Sequence, residues 1–216
     1  MDPADFIRAR LRLEPVPGLA GIKLYTAHAG SRLSQLATDN PDPPPPYWAY
    51  QWAGGLALAQ HFLAHPHAVA GRRVLDLGAG SGLVAIAAAR AGAQASAAEI
   101  DHFGRAAIAL NAAANGVTIS LVDIDLAAPP PTGFEIIAAG DVFYNPAVAA
   151  AMLPWLKACA QAGLTVLIGD PGRRDLPLDQ LHHIASYGVS DVGDARASTD
   201  RVGSVYRLKS PRDPRT

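Results

Sequence analysis

The chain has 216 residues, of which 50% are hydrophobic, 17% charged and 6% aromatic, with a formal net charge of −1. So much apolar content with so little net charge excludes a globally disordered chain, and the longest apolar stretch, around 83–89, falls far short of the ~20 residues that span a bilayer. The largest basic excess lies in residues 171–216, with eight basic and six acidic side chains, too little to neutralise a nucleic-acid backbone, so neither nucleic acid nor membrane is an expected partner.

Residues 3–13 read as a short helix with Asp2 as its cap, followed by a mixed segment around Ile22 to Tyr25. The run Asp39-Asn40-Pro41-Asp42-Pro43-Pro44-Pro45-Pro46 fixes φ over consecutive residues and favours a stiff polyproline connector. It marks a boundary between an N-terminal extension, 1–45, and a main domain, 46–216. Immediately beyond it, Tyr47, Trp48, Tyr50 and Trp52 bring four aromatic rings into six positions.

From residue 72 the pattern becomes regular. Arg73 to Leu77 reads as a buried strand and Ser81 to Ala91 as an alanine-rich helix, with Gly92 past its end. Strands at 95–98, 118–122, 134–139 and 164–168 alternate with helices at 101–114 and 145–163. Asn145-Pro146 supplies a cap and a first-turn proline, and Pro154 is expected to kink that helix. Residues 178–187 read as a further helix, and 189–192 and 204–209 as a closing antiparallel hairpin. Strands alternating with helices predict an α/β fold: a Rossmann-like, seven-strand, mostly parallel sheet with helices on both faces. Ligands of such sheets bind beyond the carboxyl ends of the strands.

Asp76-Leu77-Gly78-Ala79-Gly80-Ser81-Gly82 occupies that position after the first regular strand. Glycines there let a ligand approach the main chain, and a helix N-terminus follows. Glu99, at the end of the next strand, can accept two hydrogen bonds from a ribose diol. Two cofactors fit the spacing. Gly80-x-Gly82-x-x-Ala85 with Glu99 nineteen residues on from Gly80 satisfies a dinucleotide pattern, but leaves Asp76 and Gly78 without a role. S-adenosylmethionine gives both a role, because a carboxylate helps to hold its ammonium group and there is no pyrophosphate to cradle. A purely structural strand-to-helix turn is the remaining reading. Asp123 and Asp125 follow the third strand of the regular region, where either can meet an adenine amino group, and Asp101 caps the next helix.

Gly140-Asp141-Val142-Phe143-Tyr144-Asn145-Pro146 follows the strand at 134–139, where the reacting centre should lie. Asp141-x-x-Tyr144 resembles the DxxY motif of seven-strand protein lysine methyltransferases. Together with Pro46-Tyr47-Trp48-Ala49-Tyr50-Gln51-Trp52-Ala53-Gly54-Gly55, the stretch from Val74 to Gly82, and Val166-Leu167-Ile168-Gly169-Asp170-Pro171-Gly172-Arg173, it is similar to the electron transfer flavoprotein β-subunit lysine methyltransferase family over roughly 46–210. The resemblance implies transfer of a methyl group from S-adenosylmethionine to lysines of a folded partner, the β subunit of electron transfer flavoprotein, with S-adenosylhomocysteine as product. It implies that Asp76, Gly78 and Glu99, with the loop glycines Gly80 and Gly82, hold the cofactor, that Trp52 flanks it, and that Asp141 and Tyr144 form the lysine site. Glu99 stands where aspartate is more usual.

His61, His65 and His67 have a metal-like spacing, but no carboxylate or cysteine nearby completes a site, so they read as surface residues on a helix that Pro66 breaks and no metal is expected. His182 and His183 read as structural or exposed. Cys159, the single cysteine, reads as core and offers no disulfide framework, which suits a reducing compartment. With no clear presequence, the expected location is a bacterial cytoplasm, with a mitochondrial matrix second.

Overall fold

The computed structural model describes residues 2–34, 36, 45–191 and 201–210. The start of the proline run, 39–44, and the loop expected in the closing hairpin, with Val192, lie outside the described residues.

Asp2 caps the first helix, α1 (Pro3–Arg10), by accepting from the Asp5 N–H. The helix ends earlier than its apolar pattern predicts, because residues 12–15 leave it as a strand. That strand, β1 (Arg12–Pro15), pairs antiparallel with β2 (Lys23–Thr26). Then come α2 (Ala53–Ala64), β3 (Arg73–Leu77), α3 (Leu83–Arg90), β4 (Gln94–Ala98) and α4 (His102–Ala114). The remainder is β5 (Ser120–Val122), β6 (Ile136–Gly140), α5 (Pro146–Gln161), β7 (Thr165–Asp170), β8 (Leu181–Val189) and β9 (Arg201–Leu208). The helix α5 runs through Pro154 as one element.

The main sheet has seven strands in the order β5-β4-β3-β6-β7-β9-β8, parallel from β5 to β7 and antiparallel at β9 and β8. Its central strands β3, β6 and β7 are buried on both faces, and their side chains alternate between two cores. Val74, Ile136, Ala138 and Leu167 join a core under α2 and α3, whereas Leu75, Ile137, Ala139 and Ile168 join one with Trp155, Leu156 and Cys159 of α5. This two-sided burial is why the parallel strands read as continuous apolar runs. A third cluster joins Phe6, Ile7 and Leu11 to Trp48 and Ala107, which fastens the N-terminal segment to α4.

One element departs from the sequence-based expectation. Residues 181–189 form an edge strand where a helix is predicted at 178–187; only a 3-10 turn, Leu178–Gln180, precedes it. Pairing with β9 supplies hydrogen bonds to a partner about twenty positions away, and that nonlocal ladder overrides local helical spacing. The hairpin partner correspondingly begins at Arg201 and not at Ser204.

The chain moves outward from β3 through β4 to β5, then returns to β6 on the other side of β3. That reversal opens a crevice at the carboxyl ends of β3 and β6, the place where open α/β sheets hold ligands. The glycine loop leaves β3 there, and Asp141 leaves β6.

Candidate active site

In the glycine loop Gly78, Gly80 and Gly82 all have positive φ, at 68°, 53° and 80°. Most of the loop's own donors are engaged within the protein. Gly78 and Ala79 N–H donate to Ala98 O at 3.0 Å each, and Gly82 N–H donates to Ala79 O at 2.7 Å. Gly80 N–H donates to Glu99 Oε2 at 2.7 Å, and Ala85 N–H donates to Asp76 Oδ2 at 3.0 Å. Glu99 places a carboxylate on the Gly80 N–H, where a pyrophosphate would need a free donor, so the geometry disfavours the dinucleotide alternative.

Asp76 is 1% exposed, and its carboxylate stands in the first turn of α3. Burial pushes it up to about 7, against the pull of the Ala85 N–H, with Glu99 adding a further raise. It therefore holds the loop against the helix from beneath. Glu99 reaches across the same loop, accepting from Gly80 and, through Oε1, from Asp101 N–H at 2.9 Å. Gly104 makes room for it, since a Cβ there would lie 2.7 Å from Glu99 Cγ. Asp101 caps α4 through the Phe103 N–H. Asp123 stands at the crevice rim with its side chain 92% exposed, tied to Arg105 at 2.7 Å, while Asp125 turns back to its own loop through the Ala127 N–H. Ile100, just past Glu99, is 98% exposed. Sequence reasoning passes over it, although a large apolar residue next to the expected ribose ligand was the available signal.

The second loop is built by burial. Val142 and Phe143 sink into the α5-side core, each worth roughly 1.5–3 kcal/mol, and this leaves Asp141 and Tyr144 facing the crevice. Asp141 adopts φ 57°, a left-handed conformation that non-glycine residues rarely take and that clusters at functional sites. Its N–H donates to Gly169 O at 2.9 Å. Its carboxylate, 8% exposed, accepts from Gly55 N–H at 3.0 Å and from Arg173 Nη2 and Nε at 2.6 and 3.1 Å. Burial nevertheless raises Asp141 to about 6, with Arg173 and Gly55 pulling the other way. Sequence reasoning missed this Arg173 pairing, because the partners lie 32 positions apart and meet only when β6 and β7 lie side by side.

The aromatic segment divides its rings. Trp48 goes into the core and stacks on Phe103, with centroids 5.8 Å apart. Tyr47, Trp52 and Tyr144 line the crevice: Tyr47 lies 5.5 Å from Trp52 and 5.3 Å from Tyr144, centroid to centroid. Trp52 Nε1 donates to Tyr47 O, and the Arg173 guanidinium sits 5.8 Å from the Trp52 ring centre. The Tyr144 phenol is raised by burial, by Tyr47 and by the charge of Glu99, and Trp48 Cα lies 3.7 Å from the Cβ position of Gly80, which sets the aromatic segment against the glycine loop. Thus the structure brings Trp52, Gly80, Glu99, Asp141 and Tyr144 together around the crevice, seats Asp76 below it and leaves Asp123 at its rim.

The histidines stand apart. His65 and His67 are exposed as expected, but His61 is buried and pairs with Tyr187 Oη at 2.9 Å; the surface reading is corrected for that residue, because α2 turns it toward the edge strand. Cys159 is fully buried, as expected for core.

Comparison with known proteins bears on this geometry. Residues 61–140 match the family model for ribosomal protein L11 methyltransferase, a stretch that contains the glycine loop and Glu99 and stops before Asp141. The electron transfer flavoprotein β-subunit lysine methyltransferase of Danio rerio is 39% identical over 164 residues, covering 71% of this chain and 64% of the relative; the chain thus spans less than two thirds of that relative's length. Among solved structures, a putative RNA methyltransferase from Pyrococcus horikoshii superposes with a TM-score of 0.57 at 15% identity, covering 77% of this chain and 89% of that one. A magnesium protoporphyrin IX methyltransferase from Synechocystis with bound S-adenosylmethionine gives 0.51 at 15% identity, covering 82% and 90%. The chain is accordingly a relative of the electron transfer flavoprotein β-subunit lysine methyltransferases, built on the Rossmann-like fold of S-adenosylmethionine-dependent methyltransferases.

Proposed function

We propose that the chain is an S-adenosylmethionine-dependent protein-lysine N-methyltransferase whose substrate is the β subunit of electron transfer flavoprotein. The observation that carries this reading is the wall of Tyr47, Trp52 and Tyr144 standing over a buried carboxylate, Asp141, beside a glycine loop already crossed by Glu99. Aromatic faces favour cations, by about 0.5–2 kcal/mol per ring, and both reactants of lysine methylation arrive as cations.

The residues present fit the cofactor. Glu99 already occupies the Gly80 N–H, which suits a ligand without phosphate. Glu99 keeps acceptor capacity for a ribose diol, Ile100 offers an apolar face to adenine, and Asp123 lies within the same rim. S-adenosylmethionine supplies a methyl group already activated on a sulfonium, so the protein's contribution is mainly positioning, worth up to ~7–11 kcal/mol for a well-aligned pair. Tyr144 orients the amine through its hydroxyl. The lysine nucleophile must be neutral. Its ordinary pKa is about 10.4, so deprotonation at pH 7 costs ~4.6 kcal/mol, a cost that a neighbouring sulfonium reduces.

The direct test is mass spectrometry of purified electron transfer flavoprotein after incubation with the chain and S-adenosylmethionine. Mass added in whole methyl increments to lysines of the β subunit is the expected result. Cofactor binding without that modification moves the substrate to another protein, a ribosomal protein first, because the L11-methyltransferase match covers the cofactor half alone. Binding of NADH in place of S-adenosylmethionine overturns the reading.

A further inference from the structure

Asp141 poses a chemical difficulty for any reaction at an amine. A bare buried carboxylate stabilises an adjacent ammonium and so opposes the neutral nucleophile. In the structure Asp141 is not bare. Arg173 places two donors on Oδ1, Nη2 at 2.6 Å and Nε at 3.1 Å, and Gly55 N–H occupies Oδ2 at 3.0 Å.

Arg173 is itself held in place from several sides. Asp170 Oδ1 accepts from the N–H groups of Gly172 and Arg173 at 2.7 and 2.6 Å, which fixes the turn that carries the guanidinium. Trp52 offers its face, and Asp191 Oδ2 lies 3.9 Å from Nη2. The charged and titratable groups around the spot are Asp141 and Tyr144 after β6, Asp170 at the end of β7 and Arg173 after it, Asp191 after β8, Tyr47 before α2 and Glu99 after β4. Arg173 is the cation of that set. Asp141 thus carries its compensating charge permanently, because a guanidinium does not deprotonate in the working range.

We propose that Arg173 is a positioning residue for the transfer, keeping Asp141 charge-compensated so that a lysine side chain between Trp52 and Tyr144 resides there as free amine. The inference rests on the lysine-methyltransferase reading and assigns a role that reading leaves open, the control of the amine's protonation state. The lone pair of that amine forms the new N–C bond while the C–S bond breaks and its electron pair stays on sulfur; the surplus proton on nitrogen then leaves to water. Lysine at position 173 reproduces the charge but not the two-donor fork.

The test is the pH dependence of methyl transfer to electron transfer flavoprotein at saturating cofactor, for wild type, R173Q, R173K and the double variant D141N/R173Q. In R173Q the incoming ammonium takes the place of Arg173 as the counter-charge of Asp141, so the acid limb moves upward by about one pH unit or more and the rate at pH 7 falls about tenfold. R173K moves the limb less. D141N/R173Q brings it back toward the wild-type position, since no carboxylate then needs compensating. Calorimetry on R173Q shows cofactor affinity within about threefold of wild type; where R173Q loses that binding, R173K carries the same test with a smaller displacement. A uniform loss of rate with an unmoved profile reduces Arg173 to scaffolding and overturns the inference, as does a double variant that keeps the R173Q displacement. A wild-type chain that binds the cofactor but methylates no lysine overturns the functional reading itself and, with it, this inference.

Discussion

Gly54 and Gly55 open α2 where it crosses β6 and β7, and a methyl group added to each should have opposite effects. A Cβ on Gly54 would fall inside the contact limit of the Gly169 carbonyl oxygen and lie 2.6 Å from its carbon and 2.7 Å from Asp141 Oδ2. The obstructing atoms are backbone of a central strand and a side chain held by Arg173, so none can swing aside. A Cβ on Gly55 would instead meet Val84 Cγ2 at 3.8 Å, an ordinary contact. Alanine gains up to about 1 kcal/mol over glycine within a helix, while overpacking typically costs 1–3 kcal/mol and sometimes more. With three atoms inside 3.0 Å, G54A falls at the top of that range, about 3 kcal/mol, for a net loss of about 2 kcal/mol and a fall of roughly 4–8 °C in Tm for a domain of this size. G55A should match or exceed wild-type stability. Thermal and urea denaturation followed by circular dichroism measures both. Equal stability of the two variants would refute the packing described at this crossing, and with it the placement of the Gly55 N–H on Asp141.

Other consequences follow from the cofactor side. Because Asp76 holds its proton up to about 7 when folded, against an ordinary 3.8, the folded chain binds that proton more tightly than the unfolded one. Its stability contribution is complete below about pH 4 and lost as the pH climbs to about 7. D76N should flatten that dependence by up to about 4 kcal/mol over the whole window and by about 2.7 kcal/mol between about pH 5 and pH 8, seen as a smaller difference between urea midpoints at those two pH values; identical slopes contradict the burial argument. E99Q should weaken S-adenosylmethionine binding by about 10–100-fold in calorimetry, the worth of a hydrogen bond to a charged group, and an unchanged Kd removes Glu99 from the ribose site. I100D should leave folding stability within about 0.5 kcal/mol, since the side chain is 98% exposed, yet cost about tenfold in cofactor affinity by losing an apolar contact; unaltered affinity contradicts the adenine platform.

The half of the fold from β3 to β5 was legible because local signals and tertiary structure agree there. Apolar strands end in glycine or acid, and Asp101 and Asn145 cap α4 and α5 as their positions suggest. Residues 181–189 were not legible as a strand, since the pairing that stabilises them is made with β9 and leaves no local mark. The same holds at the site. Glu99 and the loop glycines stand where strand-end reasoning put them, whereas the Asp141–Arg173 pair depends on the β6–β7 register that aligns Gly140 with Gly169. Asp76 illustrates the opposite limit: its position near the end of a buried strand was readable, but only the geometry shows its carboxylate bonded to the Ala85 N–H below the loop.

The central claim is that one crevice holds both the cofactor and the incoming amine. A crystal structure with S-adenosylhomocysteine tests it most directly. The account predicts the ribose on Glu99, the adenine beside Ile100 and the thioether sulfur turned toward Trp52, Tyr144 and Asp141. A sulfur facing away from that wall, or a nucleoside bound elsewhere on the sheet, would contradict it.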